Sequence, residues 1–173
     1  MIQIVNKPSF EELSPEAQQR YEEQINKNGR ITNMKQTLLH SVVAFDALMQ
    51  WYPLFENLEK FLPKTSALFF AHAISNQNEC LICNTFFIKI FRDLEIDIAT
   101  FEFNEQEQLL IEFGRALVST PHSIPTAIFT RLKQFFSPKQ IIELTAFAGL
   151  MIATNLINTA LNIPLDEYLY EYQ

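Results

Sequence analysis

Apolar residues along this chain recur every three or four positions, which is the spacing of one face of an α-helix. Each periodic segment is bounded by a capping residue, a proline or a glycine. Strand-like alternation is weak everywhere except between Ile96 and Phe103. The predicted helices run from Ser14 to Asn28, Asn33 to Pro53, Asn57 to Phe61, Thr65 or Ser66 to Gln77, Glu79 or Cys80 to Asp93, Asn104 to Ser119, Ser123 to Phe136 and Ser137 to Leu161.

Two of these segments are predicted to lie in the core. Residues 67–74 are apolar nearly all round, a pattern typical of a buried helix. The most apolar run, residues 145–157, is interrupted by Thr154 and Asn155 and is too short to span a bilayer. With 48% hydrophobic residues, sixteen phenylalanines and only three glycines among 173 residues, the chain predicts one all-α domain over residues 1–173.

The net charge of −7 argues against nucleic acid as the main partner, because Lys/Arg clusters supply most non-specific affinity for phosphates. Anionic membranes are disfavoured for the same reason. The first eight residues have neither the basic region nor the long apolar run of a signal peptide, so we expect a cytoplasmic protein. In that compartment a cysteine pair is more often catalytic or metal-binding than a structural disulfide.

Both cysteines of the chain lie within one short motif, Cys80-Leu81-Ile82-Cys83, at the predicted start of a helix. The first turn of a helix presents free backbone amides and the positive end of the dipole, which favour a thiolate. Cys80 lies closest to those amides and is expected to be the more acidic thiol. Cys83, one turn later on the same face, can reach it, so the pair suits reversible oxidation.

The spacing leaves three interpretations open: redox chemistry, two buried structural cysteines, or a metal site. A structural zinc ion needs four ligands, and the three histidines are scattered, so no metal or cofactor is expected. His72 lies on the helix that leads into the motif, and it would face the thiols if the two helices packed antiparallel.

The motif and the C-terminal third together resemble a known family. Cys80-x-x-Cys83 follows a buried helix, and the segments 136–145, 155–158 and 163–166 follow in order: FSPKQIIELT, NLIN and IPLD. This combination is similar to the carboxymuconolactone decarboxylase and alkylhydroperoxidase D superfamily over about residues 31–168. The resemblance implies an all-α, AhpD-like helical domain that assembles into trimers or hexamers.

Redox members of that family reduce hydroperoxides, and a dithiol partner such as a lipoylated protein reduces them in turn. The resemblance implies that the second cysteine, Cys83, attacks the peroxide, with Glu and His relaying its proton. Two relay positions depart from the family. Phe87 stands where redox members carry a His, and Leu68 marks the region of the missing Glu. His72 as a possible base and Glu79 as a possible relay residue are the nearby substitutes.

The sequence therefore predicts a thiol-dependent redox protein that reduces hydroperoxides or exchanges disulfides through Cys80 and Cys83. The alternatives are a non-catalytic oligomeric or ligand-binding member of the fold and, third, a lactone decarboxylase. Away from the motif, Glu143 and Asn155 are expected to form interface or buried hydrogen bonds. Asp46 is expected to be solvated or paired with an arginine, and the acidic C-terminal segment 166–173 is expected to be exposed or docked.

Overall fold

A computed structural model describes residues 3–173; Met1 and Ile2, on which the signal-peptide expectation partly rests, lie outside it. Within those residues there are α-helices and two short 3-10 segments, Phe10–Glu12 and Glu167–Tyr172, but no strand. The all-α prediction is confirmed. The helices are α1 (Pro15–Asn28), α2 (Asn33–Leu38), α3 (Val42–Met49), α4 (Trp51–Leu58), α5 (Lys64–Gln77), α6 (Leu81–Asp93), α7 (Glu105–Ser119), α8 (Thr126–Phe135) and α9 (Pro138–Ala160).

Three helix starts follow their capping signals. The Ser14 hydroxyl accepts the amide of Ala17 ahead of α1. Asn104 with Glu107, and Ser137 with Gln140, form reciprocal capping boxes at α7 and α9. The segment 96–103, where alternation is strongest, is a loop whose apolar side chains pack against the main core instead of pairing as a strand.

The predicted helix from Asn33 to Pro53 is wrong, because the structure divides it into α2, α3 and the start of α4. Ser41 has an extended backbone and caps α3 by accepting the amide of Ala44. Pro53 lies in the first turn of α4, where its missing N–H leaves no intrahelical bond unmade. The continuous apolar pattern concealed both breaks because the short helices bury the same side of the chain.

Helix α5 is the centre of the molecule and packs against α6, α7 and α9. Its cap is not Thr65 or Ser66 as predicted: the helix begins after Pro63, and the buried Ser66 hydroxyl donates to Glu107 on α7. Gly114 on α7 allows this close packing, since a Cβ there would lie 3.1 Å from Ile74 and 3.2 Å from Phe70. The prediction that α5 is buried is confirmed.

Helix α9 extends beyond the apolar run 145–157 at both ends, in agreement with the helix predicted from Ser137 to Leu161. Among the described residues it is the one helix long and apolar enough to cross a membrane. One stripe, including Leu144, Phe147 and Met151, is buried in the main core. The opposite face leaves Ile142 and Leu156 about two-thirds exposed.

The C-terminal segment completes the wall beside the cysteines. The 3-10 turn Glu167–Tyr172 packs on α6, with Leu169 buried and Arg92 donating to the carbonyl of Glu171. Segment 166–173 was expected to be exposed or docked, and in the structure it is docked. Asp46 pairs with Arg20 through two hydrogen bonds of 2.9 and 3.1 Å, which confirms the expected arginine partner.

Candidate functional site

The turn between α5 and α6 fixes the position of Cys80. The amide of Cys80 donates to the carbonyl of Ser75 at 3.1 Å, and the amide of Glu79 donates to Asn76 at 3.0 Å. This pair of bonds is a Schellman motif, which ends a helix with one residue in the left-handed region. Glu79 holds that position with φ 53°, where glycine is usual. The motif turns the chain sharply, so that Cys80 is the residue immediately before α6.

Both thiols are free and lie at the start of α6 on the side facing α9. Cys80 is the N-cap of the helix, and its carbonyl accepts the first helical hydrogen bond from Asn84 at 2.9 Å. Cys83 follows one turn later. The exposed fraction is 1% for Cys80 and 7% for Cys83, so both residues are buried and Cys83 is the more exposed of the two. The prediction of cysteines in the first turn of a helix is confirmed.

Helix α9 supplies a third polar group. The side-chain amide of Asn158 lies 3.4 Å from Sγ of Cys83 and 3.8 Å from Sγ of Cys80, within hydrogen-bonding distance for sulfur. Asn158 is itself buried. It belonged to the motif that carried the family resemblance, but nothing in the sequence placed it against the thiols. Its amide N–H₂ can donate to a thiolate, although it cannot accept a proton at neutral pH.

The two thiols have opposite acidities. Hydrogen bonding from the Cys83 thiol lowers the pKa of Cys80 to about 6, against the effect of burial, with help from the Cys83 amide, Asn158 and Thr159. The pKa of Cys83 is raised well above its usual value by its bond to Cys80, by burial and by the neighbouring charge. Both shifts favour the arrangement in which Cys80 carries the negative charge of the pair and Cys83 holds the proton.

A cavity of about 140 Å³ opens onto Cys83 and not onto Cys80. Its walls are mainly apolar and include the aromatic side chains of Trp51, Phe86 and Phe87. Lys35, Tyr52, Asp166 and Tyr168 supply polar groups from α2, α4 and the C-terminal segment. Nothing in the sequence placed these four residues at one cavity, because they come from three separate regions that only the tertiary fold brings together.

His72 does not share this cavity. It lines a second, larger pocket of about 560 Å³ together with Arg115, Glu112 and Gln108 on α7. The Phe87 ring lines the cysteine cavity and also packs edge-on against His72, with 6.1 Å between ring centroids. Among the described residues no hydrogen bond joins His72 to either sulfur. Burial, with a smaller effect from Arg115, lowers the pKa of His72 to about 4.

Glu79 adjoins Cys80 in sequence, but its side chain is exposed to solvent and makes no hydrogen bond to a sulfur. The structure thus brings Cys80, Cys83 and Asn158 together and leaves His72 and Glu79 outside the group. Asn155 lies one turn before Asn158 and accepts a hydrogen bond from Ser75 at 3.3 Å, which confirms its predicted buried bonding. Glu143 is separate from it, and accepts from Asn57 at 3.3 Å.

Within residues 3–173 no group of three or more His, Cys, Asp or Glu side chains converges on a point where a metal ion would bind.

No known protein-family model matches this sequence. Among curated proteins, the uncharacterized protein YnjA of Escherichia coli (strain K12) is 36% identical over 62 residues. That match covers 36% of this chain and 34% of the length of YnjA, so the matched part of this chain corresponds to about a third of its curated relative.

Solved structures match nearly the whole chain. An uncharacterized peroxidase-related protein from Ralstonia eutropha JMP134, described as an alkylhydroperoxidase AhpD core, superimposes with TM-score 0.81 and 18% identity, over 98% of this chain and 95% of that one. A peroxidase-related protein from Silicibacter sp. TM1040 gives 0.80 and 18%, over 99% and 96%.

The debrominase Bmp8 has the same architecture, with TM-score 0.75 and 18% identity over 98% of this chain and 95% of that one. A cysteine-to-alanine variant of it was solved in complex with 2,3,4-tribromopyrrole. At these identities the comparisons establish the architecture. This protein has the AhpD-like all-α fold, with a Cys-x-x-Cys pair at the start of its sixth helix.

Proposed function

We propose that this protein is a thiol-dependent redox protein that reduces small hydroperoxides, with Cys83 as the attacking sulfur and Cys80 as both base and resolving thiol. One observation carries the proposal. Of two buried, hydrogen-bonded thiols, the one that faces the cavity keeps its proton, and the one behind it has a pKa lowered to about 6. The thiolate of Cys80 is the adjacent group able to accept the proton of Cys83, which becomes acidic as the sulfur of Cys83 bonds to oxygen.

The first half of the reaction oxidises Cys83. Its sulfur attacks the distal peroxide oxygen, the O–O bond breaks, and an alcohol leaves after receiving a proton. Cys83 becomes a sulfenic acid, and its original proton passes by way of Cys80 to the departing alkoxide, which leaves as the alcohol while Cys80 remains a thiolate. The amide of Asn158, within 4 Å of both sulfurs, stabilises negative charge on whichever sulfur carries it.

The second half closes the disulfide. The sulfur of Cys80 attacks the sulfenic sulfur, hydroxide leaves as water, and two thiols have been exchanged for one disulfide, one alcohol and one water. A dithiol reductant, such as a lipoylated protein, would return both cysteines to thiols through a mixed disulfide. A base on a separate helix is unnecessary in this scheme, which accommodates the substitution of Phe87 for the relay histidine.

A stoichiometric titration tests the proposal. One equivalent of tert-butyl hydroperoxide added to the reduced protein should remove both thiols, and the intact mass should fall by two hydrogens. Cys80→Ser should stop at the Cys83 sulfenic acid, which is trapped with dimedone, and Cys83→Ser should leave Cys80 reduced. Thiols that persist in the wild-type protein would favour the non-catalytic, ligand-binding alternative; a lactone decarboxylase would turn over its lactone with both cysteines replaced.

Reductive dehalogenation is the second candidate, because the cavity beside Cys83 is apolar and aromatic and a fold neighbour is a debrominase. In that reaction two thiols become a disulfide, one C–Br bond becomes C–H, and HBr is released. Bromide release from 2,3,4-tribromopyrrole, measured beside peroxide consumption with the same Cys83→Ser control, distinguishes the two reactions.

We further propose that the protein is a homo-oligomer in solution. The outer face of α9 is apolar, carries Ile142 and Leu156 about two-thirds exposed, and has open space around Gly149. An exposed apolar face of this kind is typical of subunit interfaces. Light scattering should give a multiple of 20.1 kDa, and Leu156→Glu should reduce it toward one chain.

A further inference from the structure

Lys35 is a buried cation with no acidic partner. Only 8% of its surface is exposed, and its ammonium group donates to Oε1 of Gln24 and to the hydroxyl of Tyr52, each at 2.7 Å. Among the described residues no carboxylate forms an ion pair with it. Burying a charge with only neutral partners is unfavourable, so a buried ammonium without a counter-ion indicates a place where an anion binds.

Two hydrogen-bond donors remain free at this point. An ammonium group has three N–H bonds, and two of those of Lys35 are used. The Tyr52 hydroxyl accepts from Lys35, so its own proton is left to donate. Both side chains line the cavity that opens onto Cys83. Two adjacent donors, one of them charged, suit the two oxygens of a carboxylate.

Asp166 is the acidic residue in the same cavity, and it is already engaged. Its Oδ1 accepts the backbone amide of Asn33 at 2.8 Å, at the positive end of α2. Burial raises the pKa of this carboxyl, while the Asn33 amide and the charges of Lys7 and Arg30 lower it. Asp166 therefore stabilises the start of α2, and among the described residues it forms no ion pair with Lys35.

The cavity is half open to solvent, so its volume limits only the part of the ligand that lies inside it. An apolar cavity of about 150 Å³ holds one benzene molecule, and this cavity has about 140 Å³ with aromatic and thioether walls. We propose that Lys35 and Tyr52 form a carboxylate-binding end of the cavity, so that the substrate is a small acid with a ring-sized apolar body and a reactive group at Cys83. The assignment of Cys83 rests on the proposed function; the carboxylate end does not.

Ligand binding tests the carboxylate end without any chemistry. In the Cys80→Ser/Cys83→Ser variant, quenching of Trp51, the single tryptophan of the chain and part of the cavity wall, reports occupancy. Benzoate should bind at least about tenfold more tightly than benzamide. Lys35→Met should remove that preference, Lys35→Arg should restore part of it, and Tyr52→Phe should weaken it severalfold.

Lys27→Met is the matched control, because Lys27 lies over the Tyr52 ring at 5.6 Å but is exposed and outside the cavity. It removes the same charge and should leave the preference unchanged. Equal affinity for benzoate and benzamide, or equal losses in the Lys27 and Lys35 variants, would overturn the proposal.

Turnover measurements then test whether the carboxylate-binding end of the cavity selects the substrate that reacts at Cys83. Wild-type kcat/KM for 4-(hydroperoxymethyl)benzoate should exceed that for benzyl hydroperoxide by about tenfold, and Lys35→Met should bring the ratio near one. Lys27→Met, which lies outside the cavity, should keep the wild-type ratio. Selective benzoate binding with no oxidation by any peroxide would contradict the redox function and leave the carboxylate end supported; a wild-type ratio near one would contradict substrate selection by Lys35.

Discussion

Two pockets lie on either side of Phe87. A thiol peroxidase of this fold would be expected to combine a thiol and a histidine in one site, but here each pocket contains only one of the two. One is about 560 Å³ and contains His72 and Arg115 but no thiol. The other is about 140 Å³ and contains Cys83 and Asn158 but no histidine. In the proposed mechanism neither the larger volume nor the histidine locates the chemistry. The reaction takes place at the sulfur that faces the cavity, and the adjacent sulfur is its base.

Replacing either cysteine should have the largest effect on the rate of hydroperoxide consumption. Cys83→Ser should abolish hydroperoxide consumption, because no other thiol faces the cavity. Cys80→Ser should slow oxidation of Cys83 about 100-fold, since it removes the internal base. Stopped-flow peroxide consumption at neutral pH measures both rates. If Cys80→Ser instead oxidised at the wild-type rate, Cys80 would be only the resolving thiol.

Asn158 should have the next largest effect, because its amide approaches both sulfurs. Asn158→Ala should raise the pKa of Cys80 above about 6 and lower the thiolate fraction at about pH 5.5 roughly tenfold, whereas the fractions should converge at high pH. Ultraviolet absorbance of the thiolate measures this directly. Asn155→Ala is the control, since Asn155 bonds to Ser75 and should leave the midpoint of Cys80 in place.

His72 should affect stability but not thiol reactivity. His72→Gln should change the rate of peroxide consumption less than about twofold, because Phe87 separates the ring from the cysteine cavity. A larger loss of rate would mean that the imidazole acts on the thiols after all.

The pH dependence of folding should nevertheless depend on His72. Its folded pKa of about 4 lies below the unfolded value, so the unfolded chain binds the proton first as the pH falls. Wild-type stability should drop up to about 3 kcal/mol more than that of His72→Gln between about pH 6.5 and pH 4. Urea unfolding across that range gives the difference; parallel curves would show that His72 is not held neutral.

Glu79 should have the smallest effect. Its φ of 53° is a position that favours glycine, so Glu79→Gly should stabilise the fold by up to about 1 kcal/mol. Its exposed carboxylate makes no bond to a sulfur, so both Glu79→Gly and Glu79→Ala should keep the wild-type oxidation rate. Thermal unfolding and the peroxide assay together check this, and a slower Glu79→Ala would instead support a relay role.

Much of the fold was predictable because it depends on local signals. Caps at Ser14, Asn104 and Ser137 marked three helix starts, and the apolar body of α5 marked the centre of the core. The breaks around Ser41 were not predictable, since apolar periodicity continues through them. Local signals describe one turn of chain at a time and cannot show where a helix bends away to meet its neighbours.

The residues of the site likewise divide into those that local sequence signals predict and those that they do not. Cys80 and Cys83 were predictable from their spacing, and the order of acidity expected from their helix-start position agrees with the directions of their pKa shifts. Asn158 and Lys35 approach the cavity from α9 and α2, so their roles depend on tertiary contacts at long sequence separation. His72 lies close to the cysteines along the chain, yet the aromatic ring of Phe87 separates it from the thiols.

The central claim is that Cys80 supplies the base that a histidine supplies elsewhere, and the acid titration of the thiolate absorbance tests it most directly. The account predicts that the reduced wild-type protein carries one thiolate at neutral pH, lost on acidification with a midpoint near the pKa of about 6, and that Cys80→Ser lacks this transition. A reduced protein with no thiolate below about pH 8, as for unperturbed cysteines, would contradict it.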